Sequence, residues 1–381
     1  MGITAGNNAR QVLVKHATLM KLNSMSRMMF AALCCATVLT ACKRNNGAAA
    51  NEPKITGSPS DAPVAIAPKW TAGLRYLMRL ESSQSIQLPN FMGGGRGGAG
   101  GADAKNPPMQ TSFAQDYALV VTNAADGLRG IELEILGLEL VAARGDQELV
   151  NYDSRNKVAP QGGPMTGLFD QMIGGKIYYL LGADNKVVKV EGVQELIDRA
   201  EPPAGPAAAN GGGMLRNIYT EDLFKQLVEM AGSPPVSVRV GESWTDVREA
   251  NAPTLGTLVV TTTNTLRGWQ EHAEKKCARV EFTGTVALST NAAASPLGGL
   301  VKLQGGTVEG HYWFAPDPGL PIETVFTQNI TITFPNFGGG QPRRANNGAG
   351  AAGGAGAAPD LSAPMHQSIS LKLVETKPIG R

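Results

Sequence analysis

The sequence predicts a mainly β protein with a few helices, built as a curved antiparallel sheet or an incomplete β-barrel. Many segments alternate apolar and polar residues with a period of two, the pattern of strands that have one buried and one wet face. Glycine (47 residues) and proline (24 residues) are abundant and supply turns, whereas charged residues make up only 17% of the chain. The pattern leaves open whether the sheet consists of two related halves.

Residues 1–41 are expected to be an upstream extension and an export signal that starts at Met1 or Met20. Lys21 and Arg27 precede an apolar run that ends at Leu39. This run is too short for a membrane-spanning helix, which needs about 20 apolar residues.

The sequence Leu39-Thr40-Ala41-Cys42 closes the apolar run and resembles the bacterial lipoprotein signal. The resemblance implies cleavage between Ala41 and Cys42, and a diacylglyceryl group on the Cys42 thiol that anchors the chain in a membrane. An ordinary secretory signal or a buried apolar helix is the alternative. Lys43, in place of the Asp that favours inner-membrane retention, indicates an outer-membrane lipoprotein of the bacterial cell envelope that faces the periplasm.

The remaining chain divides by composition. Residues 42–69 are rich in Asn, Ala, Pro and Gly and are expected to be a flexible tether. A first β-rich half is predicted for 70–201, a Pro/Ala/Gly linker for 202–213, and a second β-rich half for 214–381. The second half includes a disordered Gly/Ala-rich loop at 338–363.

The first half contains strands with clear alternation and one predicted irregularity. The apolar phase of the strand around 131–140 shifts at Leu136-Gly137, which indicates a β-bulge. Lys176–Leu181 and Lys186–Glu191 are predicted strands joined by a turn at Ala183-Asp184-Asn185. Val193–Ala200 is a predicted helix with Leu196 and Ile197 facing inward.

The second half is predicted to begin with a helix capped by Thr220 and to continue as strands. The run 278–288 shows the cleanest alternation, and a turn is expected at Pro316-Asp317-Pro318-Gly319. Pro89-Asn90-Phe91 and Pro335-Asn336-Phe337 both lead into glycine tracts. This echo predicts two hairpins whose tips lie at the same rim, by duplication or by convergent low complexity.

Charge and cysteine content exclude several classes of function. The formal net charge is +2, and removing Arg10, Lys15, Lys21 and Arg27 with the leader leaves 30 basic against 32 acidic residues, or −2. A near-neutral chain without a basic stripe argues against a nucleic-acid partner. After processing, only Cys42 and Cys277 remain, so no disulfide is expected beside the lipidated Cys42. Cys277 falls on the polar face of its strand and is expected to be a bystander.

No group of residues predicts catalysis, a metal site or a cofactor. His272, His311 and His366 lack metal-ligand neighbours at zinc spacing, and His311 is expected on a solvated strand face. Glu132 and Glu134 point the same way from one strand, and both are expected to lie on a solvated strand face. The four tryptophans are expected to pack in the core or at its rim rather than to form a sugar platform: Trp70, Trp244, Trp269 and Trp313.

Two further sequence motifs carry a family resemblance. Pro235-Val236 through Trp244, together with His311-Tyr312-Trp313-Phe314 and Gly319-Leu320-Pro321, resembles a domain of unknown function in uncharacterised bacterial lipoproteins. The second motif is also similar to a strand–turn–strand of the lipoprotein-sorting carriers, and this implies a curved half-barrel that holds acyl chains. No functional residue beyond Cys42 carries over.

These observations predict a non-enzymatic envelope lipoprotein that binds a hydrophobic small molecule or an envelope protein through a curved sheet. A scaffold with mobile interaction loops is the second hypothesis. A hydrolase of envelope polymers is the third and has the least support.

Overall fold

A computed structural model describes residues 55–56, 62–87, 107–156, 164–200, 236–252, 256–289, 302–334 and 360–380, together with Glu221, Phe224, Lys225 and Val228. The described chain is mainly β, as predicted. Its helices are α1 (Pro164–Met172) and α2 (Val193–Ala200). Its strands are β1 (Val64–Ile66), β2 (Leu74–Ile86), β3 (Met109–Asn123), β4 (Arg129–Arg144), β5 (Gln147–Asp153), β6 (Lys176–Leu181), β7 (Val187–Glu191), β8 (Val236–Val238), β9 (Ser243–Ala252), β10 (Gly256–His272), β11 (Lys275–Leu288), β12 (Lys302–Ala315), β13 (Leu320–Phe334) and β14 (Leu361–Pro378).

Twelve strands form one curved, antiparallel sheet in the order β7-β6-β4-β3-β2-β14-β13-β12-β11-β10-β9, with β5 paired to β4. The order contains two meanders, β2–β7 and β9–β14, because nearly every strand lies beside its neighbour in sequence. The long pairing between β2 and β14 joins them. Within the described residues β7 and β9 are the edges, so the sheet is open. The predicted curved antiparallel sheet is therefore confirmed.

Strand register separates two faces across the whole sheet. We call the face that carries Tyr76, Met78 and Leu80 of β2 the apolar face, and the face that carries Arg75 and Arg79 the polar face. Cross-strand pairing continues the apolar face in both directions, since paired residues point the same way. From Tyr76 it passes to Leu119, Leu133 and Ile177, and from Leu80 to Leu371, Thr324, Tyr312, Val280 and Leu266.

The bulge predicted at Leu136-Gly137 is confirmed. Asp116 pairs with Gly137 and Tyr117 pairs with Ile135, so Leu136 is the extra residue on β4. The bulge returns Ile135 and Leu138 to the same apolar face, where both are buried. The turn at Ala183-Asp184-Asn185 is also present, with Asn185 at φ 62°.

The helices cover the apolar face of the first meander. Leu196 and Ile197 of α2 are buried, as predicted, while α1 and β5 were not predicted. Glu221, Phe224, Lys225 and Val228 are helical, in agreement with the helix expected after Thr220; its ends lie outside the described residues.

Ordered structure begins before Trp70, which corrects the extent of the tether. Val64 and Ile66 of β1 pair with Val238 and Val236 of β8 and bury their side chains on the second meander, and Thr56 forms a bridge to Trp269. A three-residue strand is too short to show a periodic signal in a sequence.

The two predicted glycine-rich hairpins leave the sheet at the same rim. Ile86 at the end of β2 pairs with Met109 and Met365, and Phe334 at the end of β13 pairs with Leu361. The strand ends thus confirm the shared rim. The tips themselves, and the linker 202–213, lie outside the described residues. β14 begins at Leu361, so the last three residues of the loop predicted for 338–363 belong to this strand.

Candidate functional site

The two residues that define the predicted anchor lie outside the described part of the chain. Ala41 and Cys42 precede residue 55, where the description begins, so the lipid anchor stays a prediction. Within the described residues, no helix combines the length and the apolar character needed to cross a membrane.

The apolar face of the first meander is packed solid. Phe169 of α1 lies against Tyr152 with ring centroids 5.4 Å apart, and Trp70 lies edge-on to Tyr76 at 5.6 Å. Beneath Trp70, next to Met78, Leu320 and Leu371, the remaining cavity is about 10 Å³. Such a cavity holds at most about one water molecule, so this part of the sheet has no room for an apolar ligand.

The apolar face of the second meander has a different surface. Gly284, Gly306 and Gly310 replace side chains there, and the half-buried rings of Phe282 and Phe326 flank Gly310 in the same cross-strand row. The two ring centroids are 5.6 Å apart in an edge-to-face arrangement. A Cβ built on Gly310 would collide with Cβ of Phe326, so glycine is what allows the ring to lie over the strand.

We call Phe282, Phe326 and the half-buried Val260, Leu303 and Leu361 the aromatic patch. All five pack against one buried apolar cluster that crosses seven strands at the rim end of the sheet: Ile86, Met109, Leu258, Val286, Val308, Ile330, Ile332, Ala363 and Met365. The patch is therefore a partly exposed apolar surface on a rigid base, which suits contact with an apolar ligand.

A row of buried glutamines borders the patch. Gln84, Gln367 and Gln328 are direct cross-strand neighbours on β2, β14 and β13, and Gln367 and Gln328 are at most 1% exposed. The amide of Gln328 donates to Gln367 Oε1 (3.0 Å), and that of Gln367 donates to the Ser82 hydroxyl (3.4 Å). Buried amides are costly unless paired, so this row links the two meanders specifically.

The polar face carries a second group of interest around Trp313. The His272 ring stacks on Trp313 with centroids 3.9 Å apart, and His272 Nε2 lies 2.8 Å from a carboxylate oxygen of Glu323. The Trp313 indole N–H donates to Gln270 Oε1 (2.6 Å), and the Arg279 guanidinium donates to the same oxygen (3.4 Å). Trp313, Gln270 and Arg279 are buried. The polar face is therefore covered around Trp313, which alternation along a strand cannot show.

This His–Glu pair does not form a nucleophilic triad in the described residues. The nearest hydroxyl that bonds to the pair, Ser370, donates to Glu323 Oε1 (3.5 Å), whereas a triad places the nucleophile on the imidazole. Cys277 lies on the polar face as predicted but is fully buried, and its thiol contacts the backbone carbonyls of His272 and Lys275. Burial raises the pKa of this thiol to about 11, which keeps it protonated.

The other singled-out residues occupy structural positions. Glu132 pairs with Lys176 at 2.6 Å and Glu134 with Arg75 at 3.9 Å on the polar face. Trp70 and Trp313 are buried, and Trp244 and Trp269 pack against the cluster around β1, as core or rim packing predicts. His311 is half-buried with its ring edge-on to Trp313 at 4.5 Å, which corrects its expected solvated position. Among the described residues, no three His, Cys, Asp or Glu side chains are grouped so that they could hold a metal ion.

The aromatic patch and the glutamine row could not be identified from alternation alone. The sequence signal that exists is the placement of glycines in the apolar phase of two adjacent strands, Gly284 on β11 and Gly306 and Gly310 on β12. Such glycines indicate a close backbone approach or an aromatic ring that lies over the strand.

Comparisons with known proteins show a distant structural similarity and no family match. No protein-family model matches it, and no curated protein matches it. Among solved structures, a lipovitellin structure described as "lipid-protein interactions in lipovitellin" aligns with a TM-score of 0.41 and 10% sequence identity. The alignment covers 82% of this chain and 26% of lipovitellin, so this chain spans about a quarter of that protein's length.

Proposed function

We propose that this protein is a bacterial envelope lipoprotein, anchored in the outer membrane through Cys42 and facing the periplasm, that binds an apolar ligand at the aromatic patch. The observation that carries the proposal is the half-buried Phe282–Phe326 pair over Gly310 on the apolar face. Elsewhere on that face Trp70 and the helices fill the space. The patch instead offers aromatic surface on a rigid sheet, and burying it against a ligand is favourable by about 25 cal/mol per Å² of apolar area.

Site-specific photocrosslinking in cells tests the binding proposal. Benzoylphenylalanine is introduced at the position of Phe326 and, as a matched control, at the position of Tyr178, an aromatic residue of the polar face that is 45% exposed. Mass spectrometry of the purified protein should show an adduct with a lipid or another apolar small molecule from position 326 and none from position 178. Absence of a small-molecule adduct at position 326 would refute the proposal.

The anchor has its own test. Mass spectrometry of the protein extracted from membranes should find a diacylglyceryl group on an N-terminal Cys42, and the Cys42→Ser variant should keep its leader. An intact leader on the wild-type protein, or an unmodified Cys42 thiol, would contradict the anchor without touching the patch.

A scaffold function is the second candidate, because the first meander is solidly packed beneath Trp70. A sheet without space for a ligand favours a protein-interaction role over the carriage of a small molecule. Crosslinks to a protein from both position 326 and position 178, without a small-molecule adduct, would favour this alternative.

A further inference from the structure

The polar face carries a groove at the rim where the two glycine-rich tracts leave the sheet. Its volume is about 640 Å³, within the range of about 300–1,000 Å³ that is usual for small-molecule sites. It crosses the middle of the sheet from β12 through β13 and β14 to β2. Its exposed polar side chains are on the opposite face from the aromatic patch, and Gly306, Ile330 and Met365 of the apolar face also border it.

Strand register shows how the groove is built. One cross-strand row consists of Thr307, Asn329, His366 and Ser85, each paired directly with the next. At a strand spacing of about 4.8 Å, this row presents polar groups over about 14 Å.

The neighbouring row forms the low part of the groove. Gly305 pairs with Thr331 and Thr331 with Pro364, and the Gln87 N–H donates to the Pro364 carbonyl (3.1 Å). β12 has a register shift between Leu303 and Gly305, and Gly305 has a φ of 117°. A bulge with glycine at this point leaves backbone and small side chains as the floor.

The chemistry of the lining is neutral and rich in hydrogen-bonding groups. None of the described lining residues is Lys, Arg, Asp or Glu. His366 Nδ1 lies 2.7 Å from Asn329 Oδ1, and because this amide oxygen only accepts, Nδ1 is the donor. The Asn329 amide keeps its N–H donors, and His366 Nε2 is left as a second polar atom on the groove. The rings of Pro108 and Pro364 add apolar surface beside these groups.

Hydroxyl groups match this lining better than other ligand groups. Each sugar hydroxyl both donates and accepts, and each sugar ring also has an apolar C–H face that can pack on proline or imidazole. An anionic polymer would need cationic partners, which the described lining lacks. An extended peptide adds to a free sheet edge through its main chain, whereas the strands under this groove are already paired on both sides.

We propose that this rim groove binds a neutral oligosaccharide, with Asn329 and His366 as the central hydrogen-bonding pair. In an envelope protein such a ligand would be a glycan segment of the surrounding layer. The site does not depend on the apolar ligand proposed above.

Calorimetric titration of the full chain tests the groove. The protein is kept in a detergent without a sugar headgroup, lauryldimethylamine oxide, and titrated with chitohexaose, maltohexaose and cellohexaose in turn. At least one should bind saturably, and the double variant Asn329→Ala/His366→Ala should weaken that binding at least tenfold. Lys372→Ala, an exposed residue of β14 on the same face but outside the groove, should leave it within twofold.

Circular dichroism melting checks that each variant folds. If the double variant does not fold, Ser85→Ala/Thr307→Val removes hydroxyls from the same row with little change of shape and should weaken binding at least threefold. Lack of saturable binding by all three oligosaccharides would overturn the proposal. So would equal binding by the folded variants, or binding of hexa-alanine with the same sensitivity to them.

Discussion

The two meanders of the sheet bury their apolar faces in different ways. In β2–β7 most large apolar side chains of this face are buried, and residues of α1 and α2 complete the same cluster. In β9–β14 the apolar face also carries glycine, threonine and asparagine beside the aromatic patch. Phe282 and Phe326 are only half-buried there. One sheet thus combines a region whose apolar surface is well buried with a region whose apolar surface is only partly buried. Incomplete burial on a rigid base is the physical reason for assigning ligand binding to the second meander.

Removing one apolar side chain from each region tests most directly whether the two meanders differ in this way. Leu133 of β4 is 1% exposed in the centre of the first meander, so Leu133→Ala should lower the free energy of unfolding by about 2–5 kcal/mol. Phe326→Ala removes a half-buried ring and should cost less, about 1–2 kcal/mol. Urea denaturation measures both.

The same two variants should have the opposite order of effect on ligand. Phe326→Ala should abolish the small-molecule adduct formed from benzoylphenylalanine at the position of Phe282, while Leu133→Ala should preserve it in the folded fraction. Equal loss in both variants would mean that the aromatic patch is ordinary core.

Glycine substitutions should have opposite signs in the two regions. Gly310→Ala places a methyl group against Cβ of Phe326 and should destabilise the protein by about 1–3 kcal/mol. Gly167 lies in α1 with open space around its Cα, so Gly167→Ala should stabilise by about 0.5–1 kcal/mol. Thermal unfolding of both variants distinguishes these outcomes, and a neutral Gly310→Ala would show that Phe326 can move away from the strand.

Local patterns predicted the elements of this fold well where the chain alternates over many residues. The strand Lys176–Leu181, the helix Val193–Ala200 and the bulge at Leu136-Gly137 all follow from apolar phase and glycine placement. The strand β1 was missed because three residues carry no periodicity. The helix α1 was missed because it is only nine residues long and contains Gly167, which weakens a helical pattern.

The sites were harder to predict than the elements because they depend on register between strands distant in sequence. Gln84 and Gln367 are 283 positions apart yet directly opposed, and nothing local marks either as buried. Likewise, the polar phase of His311 predicted a wet face, but its ring lies edge-on to Trp313, whose indole N–H bonds to Gln270 on β10. A period of two identifies faces and does not identify what lies across from them.

The glutamine row lies where β2 pairs with β14 and the two meanders join, and its members are expected to differ in their contribution to stability. Gln367→Leu would leave the buried Gln328 amide and the Ser82 hydroxyl without their present partner, so it should cost about 1–3 kcal/mol. Gln84 Oε1 is buried without a hydrogen-bond partner, and the Gln84 amide donates to the weak acceptor Met365 Sδ (2.8 Å). Gln84→Leu therefore removes an unsatisfied group together with a weak bond and should be close to neutral. Chemical denaturation of the pair measures this asymmetry, and equal costs would show that the row stabilises by packing alone.

The reactivity of the Cys277 thiol tests whether the polar face of the second meander is closed around Trp313. Burial raises the pKa of the Cys277 thiol from 9.0 to about 11, so the folded protein keeps the thiol protonated until the pH approaches 11, whereas the unfolded chain loses the proton near pH 9. Because the thiolate is the reactive form, alkylation of Cys277 by iodoacetamide at pH 8 should be at least about 100-fold slower in the native protein than in urea. Peptide mapping by mass spectrometry assigns the alkylation to Cys277. Rapid native alkylation would show that this face opens, and the stacked His272 and Trp313 would then belong to an accessible surface rather than to a covered cluster.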